Sequence, residues 1–342
     1  MAFTTVQPLK SPEEIKQDIP LSPEVKKIKT HNDEILRRIF MGEDSRFLFI
    51  IGPCSAHDPA AVMEYAQRLA KIQEEVREKI ILVPRVYTNK PRTLGVGYKG
   101  LLHQPDLTKK PSMVDGIEAI RRLHSRIISE THLPVADEML YPENHKYVDD
   151  LLSYVAVGAR SVENQEHRLT ASGVDIPVGM KNTTGGNTEV MLNSVEAAQA
   201  PHIFAYAGYE VETGGNDLAH TILRGFQRKN GDHVPNYHYE DLYNLISAYG
   251  ERTVKNPAII VDSNHSNSGK KYAEQPRIIN EILNNRDYSD DLRRTVKGVM
   301  VESFLTGGKQ APEGTVFGQS ITDPCLGWEA TEKLLKDTAD RL

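Results

Sequence analysis

From Arg46 onward the chain alternates short, nearly unbroken apolar runs with longer stretches of mixed polarity. Eight runs stand out: Phe47–Ile51, Ile80–Val86, Leu133–Ala136, Tyr154–Val157, Ile176–Met180, His202–Ala207, Ala258–Val261 and Gly298–Val301. Strands covered on both faces read as continuous apolar runs, so this pattern predicts parallel strands joined by crossover helices. Asp58-Pro59 caps one such helix through Glu74, and the spans Asp115–Glu130 and Thr188–Ala200 read as two more. Eight strand-helix units close an α/β (β/α)8 (TIM) barrel. Residues 1–45 differ. Ser11-Pro12-Glu13-Glu14 and Ser22-Pro23-Glu24 each begin a helix, the second running through about Arg38. With too few apolar positions for a core of its own, this section reads as an N-terminal helical extension serving oligomerisation or regulation, and residues 46–342 as the barrel.

Composition narrows the function classes. A 342-residue chain that is 39% hydrophobic and 26% charged is long enough for one large barrel. Its formal net charge of -6 argues against nucleic acid, which demands a broad basic face. No run approaches the ~20 apolar residues of a membrane span, and Met1-Ala2-Phe3-Thr4-Thr5 lacks a signal-peptide pattern, so no membrane partner and a cytoplasmic location are expected. Cys54 and Cys325 are too few for a disulfide framework.

In such a barrel, reactive groups belong just past the C-terminal ends of the strands. Cys54 follows the first run, Arg85 and Lys90 the second, Glu138 the third, Arg160 the fourth, Lys181 the fifth, His265 the seventh and Glu302 the eighth. Each alone is as readily an ordinary loop residue; their joint occurrence carries the weight. Cys54, His265, Glu302 and Asp323 combine a thiolate, an imidazole and two carboxylates. That mixture suits Mn, Fe, Co or Zn better than Ca or Mg, although no CxxC or HExxH spacing supports it. The cations Arg85, Lys90, Arg92, Arg160, Lys181 and Arg224 outnumber what one phosphate needs and fit two anionic substrates side by side.

Seven segments carry a family resemblance: Gly52-Pro53-Cys54-Ser55, Lys90-Pro91-Arg92-Thr93, Gly158-Ala159-Arg160-Ser161, Val178-Gly179-Met180-Lys181-Asn182, Asp262-Ser263-Asn264-His265-Ser266-Asn267, Met300-Val301-Glu302-Ser303 and Ser320-Ile321-Thr322-Asp323. In this order and spacing the chain resembles the class I 3-deoxy-D-arabino-heptulosonate 7-phosphate (DAHP) synthases nearly end to end. The resemblance implies condensation of phosphoenolpyruvate with erythrose 4-phosphate, the first step toward the aromatic amino acids. It further implies one divalent ion, manganese first with Fe, Co or Zn as alternatives, held by Cys54, His265, Glu302 and Asp323. Arg85, Arg160, Lys181 and Arg224 would grip phosphoenolpyruvate beside Glu138, which would handle a proton or a water. Lys90, Pro91, Arg92 and Thr93 would hold erythrose 4-phosphate, with Lys90 shared, and a homodimer or homotetramer is expected.

Two rival readings are an enzyme using arabinose 5-phosphate, opposed by the intact Lys-Pro-Arg-Thr motif, and a non-catalytic barrel, opposed by the full set of competent side chains. Feedback-inhibited relatives place a small Ser near positions where this chain has Asp175 and Tyr206. A carboxylate and a filled volume there both predict weak or absent inhibition by Phe, Tyr or Trp.

Overall fold

The computed structural model describes residues 3–92 and 94–342. Eight parallel strands form the barrel: β1 Phe47–Gly52, β2 Ile80–Pro84, β3 Ala136–Glu138, β4 Tyr154–Val157, β5 Val178–Lys181, β6 His220–Leu223, β7 Ile259–Asp262 and β8 Val296–Glu302. Hydrogen bonding runs β2-β1-β8-β7-β6-β5-β4-β3. A parallel bridge between Arg85 and Ala136, with Val86 N donating to Ala136 O at 2.8 Å, joins β2 to β3 and closes the ring. Every residue of β1 through β7 is buried, as strands covered on both faces must be.

Alternate residues point inward. Leu48, Ile50, Ile81, Val83, Ile222, Ile260 and Met300 fill the barrel interior together with Tyr154. The floor comes from outside the barrel. Helices α1 (Pro12–Asp18) and α2 (Pro23–Met41) start on Ser11 and Ser22, whose side chains accept from backbone N–H groups three residues on. Leu36, Ile39 and Phe40 of α2 share one helix face and join the interior cluster, Phe40 packing 4.3 Å from the His220 ring. The outer ring includes α3 (Pro59–Val76), α4 (Met113–Thr131), α5 (Gln165–Ser172), α6 (Thr188–Gln199), α7 (Tyr239–Gly250), α8 (Gln275–Tyr288), α9 (Asp290–Thr295) and α10 (Trp328–Arg341). Among the described residues no helix is long and apolar enough to cross a membrane.

Two of the eight expected strands require correction. The run His202–Ala207 is outside the barrel: His202–Tyr206 pairs antiparallel with Tyr209–Thr213 in a separate hairpin. Its turn residues Ala207 and Gly208 both have positive φ, 51° and 84°, the geometry of a tight two-residue hairpin. Residues along it alternate half-buried and exposed, the signature of a strand covered on one face only. The true sixth strand, His220–Leu223, hides behind two polar residues whose hydrogen bonds are met internally. His220 Nε2 lies 2.8 Å from Tyr154 Oη, and Thr221 Oγ1 donates to Ala258 O. The third strand also starts later than the run Leu133–Ala136, because Pro134 lacks the N–H that a ladder requires.

Candidate active site

The mouth of the barrel is a cleft of about 170 Å³ lined by all six cations expected from the sequence: Arg85, Lys90, Arg92, Arg160, Lys181 and Arg224. Arg224 follows the true sixth strand, so each of the eight strands delivers an ionisable group to this end. Glu138, His265 and Asp323 also line the cleft. Thr93 lies outside the described residues.

Beneath the cations, donor atoms of Cys54, Glu302 and Asp323 lie within 4.8 Å of one another. Three of the four expected metal ligands therefore converge, although they come from opposite ends of the sequence. The register that pairs Gly52 with Glu302 accounts for much of this. His265 stands beside rather than within that set, its Nε2 3.9 Å from Glu302 Oε1 and its Nδ1 2.8 Å from Asp262 Oδ2. Asp262 thus stands behind the imidazole as a charge partner rather than along a hydrogen-bond direction, and burial outweighs it to lower the His265 pKa. His265 adopts φ 42°, the left-handed region that few residues with a Cβ enter.

The buried charges hold one another in place. Arg85, almost fully buried, donates from Nη2 to Glu302 Oε1 at 2.7 Å and from Nε to Pro53 O at 3.3 Å, leaving Nη1 without a partner. Its guanidinium lies 3.8 Å from the Tyr87 ring centroid, and Lys181 Nζ lies 5.9 Å from the same ring. Lys181 Nζ donates to Asp262 Oδ2 at 3.1 Å. Burial works against the Glu302 carboxylate, but Arg85 and then His265 hold its pKa below the usual value. Burial likewise opposes the Asp262 charge, yet His265 and Lys181 keep that carboxyl far below its ordinary range. For Lys181 burial wins, lowering the pKa in spite of Asp262.

Lys90 Nζ donates to Cys54 O at 2.9 Å and approaches Cys54 Sγ at 3.0 Å, while Asp323 N points at the same sulfur from 3.4 Å. Burial, followed by the Glu302 charge, pushes the Cys54 thiol upward; Lys90 pulls the other way. A metal coordinated by a thiolate would reverse that balance, since it deprotonates the sulfur outright. The soft sulfur and paired hard oxygens suit a transition-metal dication, so the residues present fit such an ion.

Close approach at the rim depends on glycine. A Cβ at Gly158 would sit 2.4 Å from Glu138 Oε1, so a side chain there would push the Glu138 carboxylate away from the end of β4. Arg92 Nε donates to Tyr98 O at 2.7 Å, tying its loop back on itself. Arg160 is exposed at the lip. Sequence reasoning assigned no role to Tyr87, Asp262, Asn264 or Lys270. Asn264 Nδ2 donates to Glu302 Oε2 at 2.5 Å, and Lys270 Nζ lies 3.8 Å from Asp323 Oδ1. Asp262, at a strand end three residues before His265, carried a readable signal. Tyr87 carried none beyond its place after a strand.

Fold and charge together define a (β/α)8-barrel enzyme with an anion-receiving mouth. Residues 18–336 match the DAHP synthetase I family, and the chain belongs to it. It is 40% identical over 310 residues to a phospho-2-dehydro-3-deoxyheptonate aldolase of Haemophilus influenzae, covering 88% of this chain and 83% of the relative. A Trp-sensitive aldolase of the same name from Escherichia coli K12 is 37% identical over 343 residues, covering 98% of this chain and 95% of the relative. The structure of the corresponding Francisella tularensis protein superimposes with a TM-score of 0.91 at 33% identity, covering 99% of this chain and 98% of that one.

Proposed function

We propose that this DAHP synthase family member condenses phosphoenolpyruvate with erythrose 4-phosphate, releasing phosphate, with one divalent ion at Cys54, Glu302 and Asp323 and His265 as the fourth ligand. The observation that carries this reading is the gathering of seven Lys and Arg side chains, the six expected ones and Lys270, in a cleft that Asp323 of that donor set also lines. When bound, the ion would supply Lewis-acid polarisation of the sugar aldehyde. Manganese is the first candidate, with Fe, Co and Zn as alternatives.

The side chains divide by reach. Arg85, Arg160, Lys181 and Arg224 form the phosphoenolpyruvate clamp, and the unpartnered Arg85 Nη1 is free to donate to its anionic oxygens. Lys90, Pro91, Arg92 and Thr93 hold the phosphate of the sugar. With both substrates fixed, C3 of phosphoenolpyruvate attacks the aldehyde carbon, water adds at C2, and phosphate leaves with its C–O bond. Glu138, close to the end of β4, moves a proton or positions that water. Fixed cations stabilise the phosphate as its charge grows, without reorganisation.

The first 45 residues serve assembly or regulation of a homodimer or homotetramer working in the cytoplasm, and inhibition by aromatic amino acids is weak or absent. A cavity of about 850 Å³ stands where a feedback ligand would bind, with Asp175, Phe204 and Tyr206 in its wall. The expected filling by Tyr206 finds no support, since the cavity stays open beside it and Tyr206 Oη donates to Pro142 O at 2.9 Å. Charge supports the reading instead: Asp33, Asp149 and Asp150 are paired with Lys29, Lys16 and Arg121, and the remaining Asp175 and Glu212 outweigh Lys146 in facing an incoming carboxylate. Offering erythrose 4-phosphate and arabinose 5-phosphate in parallel tests the substrate assignment. Turnover confined to erythrose 4-phosphate is expected, and preference for the pentose phosphate would overturn it.

A further inference from the structure

A second cavity of about 850 Å³ opens at the opposite end of the barrel, among the loop before β1, the start of β8 and the ends of α8 and α10. Seven cationic side chains line it against three carboxylates. Four of the cations are paired: Arg46 with Asp44 at 2.6 Å, Arg341 with Asp287 at 2.5 Å, Arg293 with Asp290 at 3.3 Å, and Arg294 with Asp291. Among the described residues, no ion pair engages the other three, Lys79, Arg286 and Lys297.

Arg286 is the unusual one. It is only 7% exposed, and its buried Nε has no hydrogen-bond partner. Its guanidinium packs 4.5 Å from the Phe47 ring centroid, and Nη2 donates to Arg293 O at 3.3 Å. Burial pushes Arg286 down to about 10, and burial followed by the Arg286 charge holds Lys297 below its ordinary value. A barrel floor concerned with stability alone would pair or remove such charges, because an uncompensated buried cation is costly. Two neighbouring cations that no carboxylate engages in an ion pair, with Asp287 acting on Arg286 only from a distance and paired to Arg341, are instead a receptor for a multiply charged oxyanion, and a guanidinium fork binds such oxygens two at a time.

We propose that this cavity binds a phosphorylated small molecule, with its phosphate between Arg286 and Lys297, Lys79 at the rim, and its uncharged part against Met41 and Pro257. The volume suits such a ligand, within the roughly 300–1,000 Å³ of small-molecule pockets. The site is independent of the mouth, which lies beyond the opposite ends of the strands.

Isothermal titration of the full chain with pyrophosphate, at constant ionic strength, tests the proposal. A binding event is expected that Lys297→Met weakens by about tenfold or more, the loss of one charge-assisted contact. Arg160→Ala, altered at the mouth, leaves that event unchanged. Lys297→Met should keep phosphoenolpyruvate kinetics within about twofold of wild type, since no mouth contact is lost. Lys79→Gln, at an exposed position that puts folding at no risk, should weaken the same event by about threefold, as an exposed charge does. The proposal is overturned if no event occurs, or if every event is insensitive to both lysine substitutions.

Discussion

Asp137 shows how far a single buried group next to the active site departs from its ordinary chemistry. Burial raises its pKa from 3.8 to about 7, although Thr88 Oγ1 and the N–H groups of Thr88 and Glu138 all donate to it. His124 Nε2, 3.6 Å away, offers no charge, since burial lowers its own pKa to about 4. Between about pH 4 and 7 the folded protein therefore holds a proton that the unfolded chain has released. The contribution of Asp137 to stability therefore falls as pH rises through that window, by at most about 1.4 kcal/mol per pH unit, while buried His124, neutral in the fold but charged in the unfolded chain below about pH 6.5, contributes with the opposite sign. Asp137→Asn should remove that contribution, so that in denaturant titrations the variant gains stability relative to wild type as pH rises from about 4 to 7; a difference between the two that does not change with pH would show that Asp137 is ionised throughout. At the mouth, Arg92→Ala should raise KM for erythrose 4-phosphate, whereas Arg160→Ala or Lys181→Ala should raise KM for phosphoenolpyruvate. Each loss of a charge-assisted phosphate contact is worth about 2–4 kcal/mol in kcat/KM. One substrate responding to all three changes would refute the division.

Among the elements, α2 does the most for the barrel without belonging to it. Leu36, Ile39 and Phe40 close the interior beneath Leu48 and Tyr154. Phe40→Ala should cost about 3–5 kcal/mol in urea unfolding, as deletion of a fully buried aromatic does; a loss below about 1 kcal/mol would mean the floor is made elsewhere. The helix was read only to about Arg38, which left Ile39 and Phe40 outside it and their place in the barrel floor unseen, whereas the strand ends bearing Cys54, Arg85, Lys181 and Glu302 were readable because each apolar run leads within a few residues to an ionisable one. The sixth strand was not. His220 and Thr221 conceal it, since a buried polar pair looks like a loop until Tyr154 and the Ala258 carbonyl are placed beside it. The same misplacement hid the Lys181–Asp262 pair, which spans from β5 to β7 across β6. Tyr87 was illegible for a related reason: its ring matters only once Arg85 and Lys181 stand over it.

Across the whole molecule, a formal charge of -6 coexists with two local concentrations of cations at opposite ends of one barrel. The mouth cluster is tied to the candidate metal ligands through Arg85–Glu302 and Lys90–Cys54, so anion binding and the donor set form one charge network. Inhibition by Phe, Tyr or Trp at sub-saturating substrate should be weak, and strong inhibition at micromolar concentration would contradict that reading. Central to the proposed function is that Cys54, Glu302 and Asp323 hold a divalent ion. The direct measurement is phosphoenolpyruvate consumption with erythrose 4-phosphate, after exhaustive chelation and after add-back of Mn or Co, in the wild-type chain and in Cys54→Ala. Chelation should abolish turnover, add-back should restore it only in the wild type, and metal content should fall in the variant. Full turnover after chelation, or a Cys54→Ala enzyme that recovers like wild type, would contradict the account.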